Sequence, residues 1–244
     1  QCVLPHPAGA SMMLPLLVLA CLPEPTDVAL SGQVLTAQDS DQGAPDVNVT
    51  AFDAEMNQYS EAITDTNGEF STSVQSNRVY HLVLTGEGVT PTAFSGVVGS
   101  SDTAIAADEL FVRSEVETEA LRAAHSNCAA SELSGGIVEG LIYFRLINEQ
   151  DESFLIAEEA MVEVYDANGT QYETCYLDTD GESLEAGTEV GPTGRFAAFG
   201  IPEGAITVVF RQEIGAAVLE NFGFVYMPDD GIAPFHPAFI DLAG

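Results

Sequence analysis

Lysine and tryptophan are absent from this chain of 244 residues, and its six basic side chains, all arginine, face 38 acidic ones for a formal charge of −32. A surface of that sign repels DNA, RNA and anionic lipid, and no basic stripe exists to neutralise a row of phosphates. Nucleic-acid partners are thereby excluded. The missing tryptophan removes the largest ring from which an exposed sugar-stacking platform is built, leaving Tyr165, Tyr172 and Tyr176 as the aromatic candidates for such a role. No apolar run reaches the ~20 residues that a membrane-crossing helix needs. No CxxC spacing occurs, which removes zinc ribbons and dithiol redox motifs. Nucleophile elbows, P-loops and dinucleotide fingerprints are missing too. The four histidines, His6, His81, His125 and His236, are followed three positions on by Gly9, Leu84, Cys128 and Phe239, so none begins a His-x-x-Glu zinc pair. Carboxylate pairs occur at every spacing by composition alone and single out no glycosidase site. The expectation is a protein that is not an enzyme.

What is present is strand. Hydrophobic residues make up 46 % of the chain, enough for a packed core. They fall in short alternating runs: Val47, Val49 and Ala51 against Asn48 and Thr50, then Phe70, Thr72 and Val74, then Tyr80, Leu82 and Leu84. Turn residues such as Asp65-Thr66-Asn67-Gly68 separate them. Many short strands with frequent turns predict an all-β sandwich or barrel.

The order of these pieces resembles the carboxypeptidase regulatory-like (transthyretin- or prealbumin-like) domain family. The resemblance rests on Ser31-Gly32-Gln33-Val34, Gly43-Ala44-Pro45-Asp46-Val47-Asn48-Val49, Thr64-Asp65-Thr66-Asn67-Gly68-Glu69-Phe70 and Tyr80-His81-Leu82-Val83-Leu84. In the family pattern these are a glycine-bearing first strand, a Val-x-Val strand, a Thr-Asp-x-x-Gly-x-Phe hairpin and a tyrosine-led strand. A looser second copy runs from Gly140 to Phe144, through Ala160-Met161-Val162-Glu163-Val164, to Thr193-Gly194-Arg195-Phe196 and Ile206–Phe210. Its hairpin carries an acidic, glycine-rich insertion at 178–192, read as a surface loop. The resemblance implies a fold of two tandem small β-sandwich domains, at 28–112 and 135–244, that confer stability or bind rather than catalyse.

A helical linker is predicted at 113–134. Ser114 and Glu117 form a capping box, and Val116, Ala120, Leu121 and Ala124 supply a narrow apolar stripe for packing on a domain. Residues 1–27 read as an address and tether. The apolar stretch from Met12 ends in Val18-Leu19-Ala20-Cys21, which resembles a bacterial lipobox whose thiol accepts a lipid, although no lysine or arginine precedes it. A cleaved secretory signal and an ordinary N-terminal strand are the alternatives. The expectation is lipidation at Cys21 and a place in the cell envelope, at the outer membrane or extracellular surface, with an unidentified protein or glycan as partner. A role on an envelope transport or secretion complex is a further alternative.

Export would let Cys128 and Cys175 form a disulfide; two free buried thiols is the competing reading. No cofactor is expected. Calcium has its best candidates in Asp178, Asp180 and Glu182, where oxygen donors alternate along a turn. Asp39-Ser40-Asp41 and Asp65-Thr66-Asn67 are lesser ones, and none completes an EF-hand, since the position for its bidentate glutamate after Gly181 is Gly187. Ordinary turn chemistry accounts for all three.

Overall fold

The computed structural model describes residues 25–37, 40–106, 109–124, 134–147, 152–177, 184–186, 189–191, 193–214 and 217–243. Those residues are all-β with one short helix and form two tandem sandwiches. The first has β1 (Asp27–Leu35), β2 (Asn48–Phe52), β3 (Gln58–Ile63), β4 (Glu69–Gln75), β5 (Val79–Gly86), β6 (Val89–Val97), β7 (Thr103–Ala104), β8 (Leu110–Phe111) and β9 (Arg113–Ser114). One sheet has the order β4-β1-β7, with β8 also on β1; the opposed one runs β6-β5-β2-β3, with β9 on β6. Alternation does what the sequence predicts. Leu30, Val34, Val49, Ala51, Val74, Leu82 and Leu84 turn inward from both sheets and form one cluster.

The segment Thr64–Phe70 is not the expected hairpin. β3 pairs with β2, whereas β4 pairs with β1 across the sandwich, with Gly32 opposite Phe70. The turn is therefore a corner that carries the chain from one sheet to the other. Its sharpness is set by Gly68, at φ +78, where an added Cβ would lie 2.3 Å from the Val34 carbonyl oxygen. The Asp65 carboxylate accepts the N–H groups of Asn67 (2.8 Å) and Glu69 (2.9 Å), so this lesser calcium candidate is occupied in holding the corner.

Helix α1 (Glu115–Ala124) follows, and then β10 (Gly136–Ile147), β11 (Glu152–Ile156), β12 (Met161–Asp166), β13 (Gln171–Tyr172), β14 (Thr174–Leu177), β15 (Leu184–Ala186), β16 (Arg195–Ile201), β17 (Gly204–Ile214), β18 (Ala217–Met227) and β19 (Ile232–Ala243). The sheet β13-β12-β17-β18 faces the sheet β15-β14-β16-β10-β19. Val162, Val164, Phe196, Ile206, Val208 and Phe210 pack between them. The insertion is more than a surface loop, because residues 184–186 form β15 and add to β14.

A helix is not all that joins the two sandwiches. β19 runs parallel to β10 along most of its length, and its first residue, Ile232, pairs with Thr92 of β6. The second sheet of each sandwich thereby becomes one 11-stranded sheet. The outward face of β5 and β6 is buried as well: Val83 and Ala93 belong to the same apolar cluster as Val225, Met227 and Ala233 of the second sandwich.

Of the predicted stripe only Leu121 is seen to dock; the rest of the docking face is polar. Val116 is 78 % exposed, whereas Thr118 and Arg122 are buried. Arg122 donates to Asp230 Oδ1 (2.7 Å), the Gly135 carbonyl (2.8 Å) and Glu119 Oε1 (3.0 Å), and Leu121 packs on Ile137, Cys175 and Phe199. The capping box forms as predicted: Glu117 N–H donates to Ser114 Oγ (3.2 Å), and Ser114 N–H to Glu117 Oε2 (2.9 Å). The Ser114 hydroxyl also donates to Glu117 Oε2 (2.7 Å), and this bond first, then that from the Ser114 N–H, holds the Glu117 carboxyl below its ordinary value.

Candidate binding surfaces

Most of the residues singled out for site chemistry fall outside the described residues. Cys21, Cys128, Asp39, Asp178, Asp180, Glu182, His6 and His125 lie outside the described residues, as does the side chain of His236. Cys175 is fully buried on β14 and is one half of a disulfide whose other half is outside the described residues. Among the described residues, no three His, Cys, Asp or Glu side chains are grouped to hold a metal ion. No described helix is long and apolar enough to cross a membrane.

His81, which strand alternation marks simply as a face residue, is buried where the sandwiches meet. Its Nδ1 lies 2.6 Å from Ser95 Oγ, and its ring centroid is 6.5 Å from that of Tyr226 on β18. Burial pushes its pKa below the ordinary histidine value, and the Asp53 carboxylate partly offsets this. Tyr226 is displaced upward to about 12, by burial first and then by its 2.5 Å hydrogen bond to Glu203.

Two depressions among the described residues bear on binding. The first, of about 400 Å³, lies on the second sandwich beside the start of β14 and includes Glu163, Gln171, Tyr172, Glu173 and Thr174 in its lining. The Thr174 hydroxyl is buried there with no hydrogen-bond partner among the described residues. The three candidate tyrosines part company at this point. Tyr172 borders the depression and donates toward Asp166 (3.3 Å). Tyr176 also borders it, but its hydroxyl is turned into the core, 3.0 Å from the Val162 N–H that donates to it. Tyr165 does not border it.

The second, of about 200 Å³, is a cleft between the sandwiches. Tyr80, Phe94 and Ser95 come to it from β5 and β6, Phe224 from β18, Phe235 from β19, and Glu109 from the segment just before β8. The close fit of Phe235 depends on Gly223, where an added Cβ would lie 2.5 Å from its ring. Burial and then the Glu109 charge raise the Tyr80 phenol above its ordinary value. Beside the cleft, Phe222 and Phe224 are more than half exposed and meet edge-on at 5.5 Å. They lie on β18, which among the described residues ends its sheet and pairs only with β17. Sequence periodicity gives no hint of this cleft, because its walls come from both copies and meet only once the copies dock.

No protein-family model matches the chain, and no curated protein matches it either. Among solved structures it is similar to the Bacillus anthracis TIE protein at 12 % identity and TM-score 0.31, over 88 % of this chain and 33 % of that one. It is also similar to GBS52, the minor pilin of Streptococcus agalactiae, at 13 % identity and TM-score 0.33, over 89 % and 97 % of the two chains. A third is the shaft pilin SpaA of Lactobacillus rhamnosus GG, at 12 % identity and TM-score 0.26, over 90 % and 98 %. Likenesses at this level add nothing to the β-sandwich architecture already described.

Proposed function

We propose that this chain is a non-catalytic module of the cell envelope, held to a membrane by a lipid on Cys21 and projecting two acidic sandwiches outward as a spacer with binding faces. On this reading, residues 1–27 are address and tether. The sandwiches at 28–112 and 135–244, with their helical linker at 113–134, are carboxypeptidase regulatory-like domains. The observation that carries the reading is the shared seam. A C-terminal strand paired on one side with β10 and on the other with β6 fixes the second sandwich on the first. That suits a load-bearing or presenting element better than a pair of domains that must open and close. A fatty-acid probe fed to producing cells tests the anchor. The native protein takes up label and fractionates with membrane, whereas Cys21→Ser is unlabelled and soluble. Label retained by Cys21→Ser removes the assignment.

A second reading, glycan binding, is favoured by the depression beside β14. A tyrosine ring flanked by Gln171 and Glu173 offers the mix of stacking and hydrogen bonding that a sugar uses. A glycan array probed with the native chain and with Tyr172→Ala tests it. Binding that Tyr172→Ala leaves intact places the glycan elsewhere.

A further inference from the structure

We propose that the cleft between the sandwiches is a receptor for a single organic cation, a guanidinium or small alkylammonium group, walled by Tyr80, Phe94, Phe224 and Phe235 and countered by Glu109. The inference gives the binding role above a ligand chemistry and rests on that role. The volume, about 200 Å³, suits one such head group rather than a chain of sugars or a metal ion with its waters. Aromatic faces attract a cation through their quadrupole, and the attraction grows as water is excluded. Glu109 is the one charged side chain in the lining, and it is negative. The rest of the molecule adds to the same sign, since a formal charge of −32 makes the cleft a sink for cations and repels anions. Tyr80 stays a neutral wall beside that charge: burial, and then the nearby Glu109 carboxylate, disfavour its ionisation. The cleft is therefore neutral on its walls, negative at one point, and open beside an exposed aromatic pair.

Charge-matched pairs of probes, titrated into the full chain at low salt, test this by aromatic proton–carbon NMR. Choline is compared with its neutral isostere 3,3-dimethylbutan-1-ol, and N-acetylarginine methylamide with N-acetylcitrulline methylamide. At least one cation should shift Tyr80, Phe94, Phe224 and Phe235 saturably, and bind at least about tenfold more tightly than its neutral twin. Glu109→Gln, on an exposed side chain, should remove most of that preference, and Phe224→Ala should weaken the cation itself. A response to choline alone identifies a free alkylammonium ligand; one to the arginine amide alone identifies a side chain of a partner protein. No saturable shift from either cation, equal binding of cation and isostere, or a preference that survives Glu109→Gln would overturn the proposal. Fractionation of Cys21→Ser reads the envelope assignment without touching the cleft, so the two can fail separately.

Discussion

Cys175 lies fully buried on β14 with its sulfur in a disulfide, and only Cys2, Cys21 and Cys128 can supply the other half. We propose Cys128 as the partner, since the proposed lipid would occupy Cys21. A non-reducing peptide map should yield one linked pair, Cys128 with Cys175, and Cys128→Ser should lower stability to urea by up to ~4 kcal/mol, the chain-entropy value for a loop of that size. Linkage of Cys175 to Cys21 would defeat both this pairing and the lipid. His81 sets a second property. Its folded pKa lies below the ordinary value, so over the interval between the two the unfolded chain binds the extra proton. The stabilisation it confers is whole above the ordinary histidine pKa of ~6.5 and is lost as pH falls through the folded value. Many carboxylates also titrate, so the readout is a difference: native protein should lose stability relative to His81→Gln as pH drops from about 7 to 5. A constant difference across that range would show that His81 does not change its proton binding on folding. Alternation correctly marked Leu82 and Leu84 as core, since period two is local. The burial of His81 was invisible for the complementary reason, because the surface that covers it comes from β18.

At the scale of elements, α1 shows which signals are local and which are not. Its start was legible because a capping box is a contact between residues three apart, and Ser114 and Glu117 make it. Ser114→Ala should cost about 1 kcal/mol and loosen the first turn in hydrogen exchange. Its buried face was not legible. Apolar residues suggested Val116, but the helix turns Thr118 and Arg122 inward, because what awaits them is polar: the Thr90 hydroxyl at 2.7 Å, the Gly135 carbonyl and Asp230. Arg122 therefore serves as the rivet of the linker. Its Nε is buried without a partner among the described residues, so the site is held by the two terminal nitrogens alone. Arg122→Ala should destabilise by about 2 kcal/mol, leaving the Gly135 carbonyl unmatched, and should raise exchange across 115–124 before the strands are affected. Protection unchanged in that segment would mean that Leu121 alone holds the helix. The corner at Thr64–Phe70 follows the same rule. Its turn residues were read correctly, but whether a turn closes a hairpin or changes sheet depends on partners that lie elsewhere in the chain.

For the whole molecule, two sandwiches were readable because each copy repeats the same local pattern, and their union was not. Nothing in Ile232–Ala243 announces that the start of β19 also meets β6. The strand pairing is narrow, one register pair at Ile232 and Thr92, and the bidentate ion pair of Arg113 on β9 with Glu139 on β10 (2.9 and 3.0 Å) is only half-buried, so the coupling comes mainly from apolar burial on the outer face of β5 and β6. Val83 is the residue to test. It lies on β5 but packs in the second sandwich's cluster, while its neighbours Leu82 and Leu84 turn into the first core. Native protein should unfold in one transition by heat and by urea, with near- and far-ultraviolet signals coincident. A carboxylate at position 83 would be trapped in that seam without a cation, a burial that costs several kcal/mol unless the faces part. Val83→Asp should therefore split the transition in two, with the more persistent step retaining the core of Leu30, Val49 and Leu84. Coincident single transitions in both proteins would show that the seam tolerates a charge and holds the sandwiches less closely than its packing implies. Two transitions already present in the native chain would reduce the molecule to separate modules and remove the support for a stiff spacer.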